Sequence, residues 1–333
     1  MYLNVWTSNK VDLDITIHKG APGRPVVIFI HGLGMNKGFW VDPVNTRVFA
    51  RNIPMKVFAA TEPGPCPALN KIKAPTVGNI PDTIDNLWTA VTDKGFSAVC
   101  WSQRRPSGPI SEAIEELGHI VEKVKRLFPG MPLALIGHSR GGLIARKFME
   151  KKDPAIRALI TIASPHKGSS LSRLGKYLSP LKPALNRLLP ADVHGTASEV
   201  LKHVIELIEG TALQELLPGS DFFINLKDSP IEGVEYLSFG GTATKLLTVY
   251  SWKKHDDKFY PSPLLIIPDS LIKILPGSII PTEITSGRGD FLVTAESAVL
   301  PWSQQHCDLP ANHITIVWHK KTISGTIGAL EKL

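Results

Sequence analysis

Cysteine is scarce: Cys66, Cys100 and Cys307 are the only three in 333 residues. That is too few for a disulfide framework, and no C-x-x-C or finger-like spacing is present. Long apolar runs are missing too. The nearest, Pro261 to Pro281, is interrupted by Asp269, Lys273 and several prolines, short of the ~18 unbroken residues a bilayer-spanning helix needs. No transmembrane segment is expected. Met1 to Lys10 shows no basic region followed by an apolar run, so no signal peptide is expected, and the compartment stays open between cytoplasmic and a trimmed secreted form. Basic clusters are absent as well. The 37 Lys+Arg against 30 Asp+Glu give a net charge of +7, but the excess is scattered in pairs such as Arg104-Arg105, Lys151-Lys152 and Lys253-Lys254. A nucleic-acid binder gathers its cations on one element, so no nucleic-acid partner is expected.

What remains is an ordinary globular composition, 43% hydrophobic and 20% charged, on a chain long enough for two domains or one large α/β unit. Residues 11–18 alternate apolar and polar, the period of a half-solvated antiparallel strand. Val26–Ile30, Phe96–Trp101, Leu133–Ile136, Leu159–Ile162 and Val234–Phe239 are short apolar runs without alternation, as strands buried on both faces should be. Between them, Ile110, Ile114, Leu117, Val121, Val124 and Phe128 form one helical stripe with Glu115, Glu116 and Lys123 outside it; Arg140 to Lys151 reads as a second helix. Alternating strands and helices predict a doubly wound, mostly parallel sheet. After Ala163 the alternation pauses. Leucines at 171, 174, 178, 181, 185 and 188 keep helical spacing, so residues 165–232 read as a helical insertion on a core built from 1–164 and 233–333. A second insertion, roughly 241–283, reads as a loop, with its Leu264–Pro281 stretch as a packed surface loop in preference to a membrane contact.

The sharpest motif is Gly137-His138-Ser139-Arg140-Gly141, lying between a buried strand and a helix. That is the setting of a nucleophile elbow, where a tight turn lifts the serine oxygen off the sheet and the residues two before and two after must be small. Acyl transfer builds negative charge on the substrate carbonyl oxygen, which two backbone N–H groups must meet. The amide of Arg140 is one candidate. The amide of Leu33, in His31-Gly32-Leu33-Gly34 directly after Val26–Ile30, is the other. The serine also needs a base, and the base an orienting acid, in the chain order Ser, Asp/Glu, His. His313 and Asp290 satisfy that order; His306 and His319 are rival bases, and Glu283, Glu296 and Asp308 rival acids.

The elbow, the His-Gly-Leu-Gly loop, Ala163-Ser164-Pro165-His166-Lys167-Gly168-Ser169, the run Tyr236–Thr242, Gly289-Asp290-x-x-Val293 and Asn312-His313 together resemble the bacterial triacylglycerol lipases of the α/β-hydrolase superfamily. The resemblance extends from about residue 25 to 318. It implies Ser139 as nucleophile, Asp290 as orienting acid and His313 as base. Many secreted relatives bind calcium through an aspartate just after the histidine, where this chain has Ile314-Thr315-Ile316; others hold zinc with histidines in an early insertion, and 32–118 contains none. No metal and no cofactor are therefore expected. The insertion 165–232 occupies the lid position, either opening at a lipid surface or forming a fixed cap, with Leu171, Leu174 and Leu178 as candidate substrate contacts. The expected activity is hydrolysis of acylglycerols or other fatty-acyl esters. Short esters or polyesters would be cleaved by the same chemistry, and a non-enzymatic lipid-binding or partner-binding module on the same fold is the remaining alternative.

Overall fold

The computed structural model describes residues 13–48, 53–66, 75–174, 211–272, 277 and 280–333. Its centre is a seven-stranded sheet. The strands are β1 (Asp14–His18), β2 (Val26–Ile30), β3 (Ser97–Ser102), β4 (Leu133–His138), β5 (Ile156–Ile162), β6 (Glu235–Gly241) and, after the hairpin β7 (Leu247–His255) and β8 (Lys258–Ile267), β9 (Gln305–Leu309). They run in the order β1-β3-β2-β4-β5-β6-β9. Only β1 is antiparallel to its neighbour; every other pairing is parallel.

The apolar runs form the middle of this sheet because both faces are covered. Val27 and Phe29 of β2 pack into one core with Leu87 and Trp88 of α1 (Leu87–Asp93) and with Ile327 and Leu330 of α4 (Lys320–Leu330). Val26, Ile28 and Ile30 point to the other face, against Leu117 and Val121 of α2 (Ile110–Leu127) and Ile144 of α3 (Arg140–Phe148). Period-2 alternation thus feeds two separate apolar layers.

One residue of the α2 stripe departs from its pattern. Glu116, expected outside, is buried; its carboxylate accepts from Trp101 Nε1 (3.0 Å) and the Arg104 amide (3.2 Å), tying α2 to the end of β3. The second insertion also differs from a loop: residues 247–267 form a hairpin in spite of Pro261 and Pro263. The reason is parity. Phe259 points its N–H away from β7, toward the carbonyl of Cys66, so residues 261 and 263 face the same way and their missing N–H groups cost the ladder nothing.

Most of the expected helical insertion, 175–210, lies outside the described residues, as does Leu178. Its flanks carry short turns at Leu171–Leu174, Thr211–Gln214 and Asp221–Ile224. No described helix is long and apolar enough to cross a membrane.

The strand order positions the site. From β2 the chain goes to β3 on one side, then crosses back to β4 on the other. This reversal opens a crevice at the carboxyl ends of β2 and β4, the place where open α/β sheets bind ligands.

Candidate active site

Ser139 stands in that crevice, between β4 and α3, with φ 55° and ψ −128°. A non-glycine residue reaches this region only under constraint, and here the constraint is close packing. A Cβ on Gly137 would lie 2.4 Å from the Gly142 nitrogen, and one on Gly141 would lie 2.3 Å from the Ile30 carbonyl oxygen. The two small residues are what let the turn approach both its own helix and β2.

His313 lies in the loop between β9 and α4, and Asp290 in the loop after the hairpin. Both are buried, and His313 Nδ1 sits 2.9 Å from Asp290 Oδ2. The other carboxylate oxygen accepts from the amides of Leu292 (3.0 Å) and Val293 (2.8 Å), which orients the carboxylate. A carboxylate partner means that Nδ1 carries the proton, leaving Nε2 with its lone pair. Among the described residues Nε2 has no hydrogen-bond partner, and His313 and Ser139 line the same cavity. The rest of that wall is mostly apolar: Leu33, Met35, Leu213, Leu216, Leu292, Val293 and Ile314, with Pro165 and Ser169.

The loop after β2 brings Leu33 to this cavity. Among the described residues neither the Leu33 nor the Arg140 backbone N–H donates a hydrogen bond. His31 braces the loop. Its Nε2 accepts from the Gln103 amide (3.1 Å), its Nδ1–H donates to the Gly32 carbonyl (3.0 Å), and Gln103 Nε2 donates to the His31 carbonyl (2.9 Å). Burial pushes its pKa down from 6.5 to about 4, with Arg140 also lowering it against the raising effect of the Gly32 bond. The Arg140 side chain, fully buried, donates to the carbonyls of Pro106 (3.1 Å) and Gly108, and Pro106 in turn accepts from Gly34 N–H. One guanidinium thereby ties α3 to the loops that follow β2 and β3.

Comparison with curated proteins finds no match. A family model described as serine aminopeptidase S33 matches residues 94–209, a span that includes Ser139 but neither Asp290 nor His313. Among solved structures, the mature form of Bacillus licheniformis lipase BlEst2 aligns over 95% of this chain and 97% of its own, with a TM-score of 0.55 and 15% identity. The chain has the α/β-hydrolase fold. The propeptide form of the same lipase aligns with a TM-score of 0.53 at 14% identity, this chain spanning 53% of it.

Within the α/β-hydrolase frame the rival residues are engaged elsewhere. His306 Nδ1 meets Ser238 Oγ (2.8 Å) and its Nε2 meets Asp308 (3.0 Å), at the far edge of the sheet. Ser238 is wholly buried in β6. His319 caps α4 by accepting from the Lys321 amide, and Glu296 pairs with Lys167 at the surface. Glu283 is buried but accepts from the Ser170 backbone and hydroxyl. Leu171 is packed in the core and does not line the cavity; the Leu174 side chain lies outside the described residues.

Around this cavity the structure also engages residues that motif reading passed over. Ser169 Oγ donates to the Leu292 carbonyl (2.7 Å), Ser297 Oγ donates to the Gly168 carbonyl (2.7 Å), and the His166 amide donates to the Ser297 carbonyl (2.8 Å). With Glu283 on Ser170, these bonds lash the 164–170 loop to the segment carrying Asp290. Arg146 forms a buried ion pair with Asp228 and donates to the His166 carbonyl (3.0 Å), anchoring the chain that returns from the insertion. Each bond joins residues far apart in the chain, and nothing local marks the partner.

Proposed function

We propose that the protein hydrolyses carboxylic esters in two steps through an acyl-enzyme on Ser139. His313 Nε2 takes the hydroxyl proton as Ser139 Oγ attacks the ester carbonyl. The oxyanion is met by the amides of Leu33 and Arg140. His313 then gives its proton to the leaving alkoxide oxygen, and the alcohol departs. Water enters, His313 deprotonates it, and the same steps release the carboxylic acid and restore Ser139. Asp290 keeps the proton on Nδ1 throughout and stabilises the imidazolium.

The observation that carries this reading is the buried Asp290–His313 pair, whose unpartnered Nε2 shares a cavity with a serine held on a strained elbow. The apolar walls favour an acyl chain, so fatty-acyl esters, acylglycerols among them, are the proposed substrates. An aminopeptidase would need a carboxylate to hold the substrate's α-ammonium group. Among the described cavity residues there is none, which favours esters over peptides.

A fluorophosphonate probe mapped by peptide mass, together with a p-nitrophenyl ester series from acetate to palmitate, tests the proposal. The label should fall on Ser139, and Ser139→Ala should lose on the order of 10⁶ in kcat with the fold intact. An S139A variant retaining a tenth of the activity would overturn the assignment, and hydrolysis of aminoacyl p-nitroanilides but not of esters would overturn the substrate class.

A further inference from the structure

His138 precedes the nucleophile, and the reaction as written makes no use of it. Its ring is completely buried. Nε2 lies 2.7 Å from the main-chain carbonyl oxygen of His313, 175 residues away in sequence. A carbonyl only accepts, so Nε2 carries the proton and Nδ1 is bare. Nδ1 has no partner among the described residues and faces the loop after β2, where a Cβ on Gly32 would come within 3.2 Å of it. The ring stacks on Phe39 (centroids 4.7 Å apart, 28° between planes) and lies 4.9 Å from the ring of His313. Three walls therefore hold one neutral imidazole: Phe39, the Gly32 loop and the base itself. Burial pushes its pKa well below 6.5, and His313 and His31 add to this, which preserves the neutral donor over the range in which the enzyme would work.

The His313 loop otherwise meets the catalytic machinery through Asp290: ring to carboxylate, and the His313 amide to the Asp290 carbonyl (2.9 Å). Both bonds reach the acid. Among the described residues the bond from His138 is the one that reaches the strand carrying Ser139. We propose that His138 is a positioning residue: its Nε2–H holds the His313 carbonyl and thereby sets the distance from the base to Ser139. This rests on the ester-hydrolase reading above.

The test compares His138→Gln, His138→Asn and His138→Phe. A glutamine amide can place an N–H near the position of Nε2; an asparagine amide stops about where Nδ1 was; phenylalanine keeps the ring and loses the donor. Because a displacement of about 1 Å between reacting groups can cost on the order of 10²-fold, H138N and H138F should lose at least about tenfold in kcat and in fluorophosphonate labelling rate, with KM within about twofold. H138Q should stay within about threefold of wild type. Melting temperatures of the Gln and Asn variants should agree, so that a difference between their kcat values reports alignment and not folding. Equal labelling rates in wild type and all three variants would overturn the role of His138, as would an H138Q as impaired as H138N. Failure of wild type itself to label would overturn the hydrolase reading instead, so the two failures are distinguishable. Should H138F precipitate, the Gln/Asn pair decides the question alone.

Discussion

Replacing Asp290 by asparagine isolates the orienting acid without breaking its loop. The asparagine oxygen can still accept from the Leu292 and Val293 amides, so those two bonds survive. The new NH2 group takes the place of Oδ2, 2.9 Å from His313 Nδ1. Two donors then face each other, and the conflict is relieved only by moving the imidazole proton to Nε2. That tautomer cannot accept the Ser139 proton. Undoing it costs about one buried hydrogen bond, ~1.5 kcal/mol. The carboxylate charge is lost as well. At a charge separation of about 4 Å and an effective dielectric of about 20, it stabilises the imidazolium by ~4 kcal/mol. The two together come to ~5.5 kcal/mol, or on the order of 10⁴ in kcat. The assay is kcat on a p-nitrophenyl ester beside a thermal melt, and the melting temperature should move by no more than a degree or two. A D290N variant within tenfold of wild type would refute this reasoning, above all if Glu283→Gln, whose partner is Ser170 and not His313, proved the inactive variant.

Acid should destabilise the fold through His31. Its folded pKa is about 4 against 6.5 unfolded, so the unfolded chain binds the proton first. Its contribution is intact above pH 6.5 and is lost as pH falls toward 4, by roughly 3 kcal/mol in all. His31→Gln, which keeps an acceptor for the Gln103 amide, should flatten the melting curve's slope in that window; an unchanged slope would sink the idea. Asp228→Ala leaves the Arg146 guanidinium buried and unpaired, a loss of about 3–5 kcal/mol. For a chain of this length that is a fall of roughly 4–7 °C in Tm, much of it recovered when Arg146→Met is added. An unaltered Tm in D228A would count against the pair as an anchor. Among the described residues no group of three or more His, Cys, Asp or Glu could hold a metal ion, so EDTA should leave activity and Tm unchanged; a drop of several degrees would contradict that.

Much of the frame was readable before any coordinates. Val26–Ile30 is a strand with the bounds its apolar run predicts, and the stripe from Ile110 predicts α2 to within a residue of its end. Burial on two faces and burial along one stripe leave different periods in a sequence, and both periods are local. The elbow was legible for the same reason: Gly137, Ser139 and Gly141 meet within five residues, and the strand and helix around them are periodic.

Other elements were hidden because their meaning depends on direction or on distant partners. Pro261 and Pro263 read as breakers, and only the pairing register reveals that their nitrogens face away from β7. Glu116 read as solvated, yet Trp101 and Arg104, brought over it by β3, supply the donors that allow its burial. The proposed acid and base belong to this second kind. Chain order admits Asp290, Glu283, Glu296 and Asp308 on one side and His306, His313 and His319 on the other. Composition and spacing cannot rank them, because each is a polar residue in or beside a loop. The ranking comes from where the segment after the hairpin and the loop after β9 meet: 23 residues separate Asp290 from His313 along the chain, and 2.9 Å separate them in space. Sequence by itself determined the layers, the elbow and the types of residue available. Tertiary structure decided which of those residues meet, since a hydrogen bond between loops is fixed by the sheet beneath them and leaves no periodic trace in the chain.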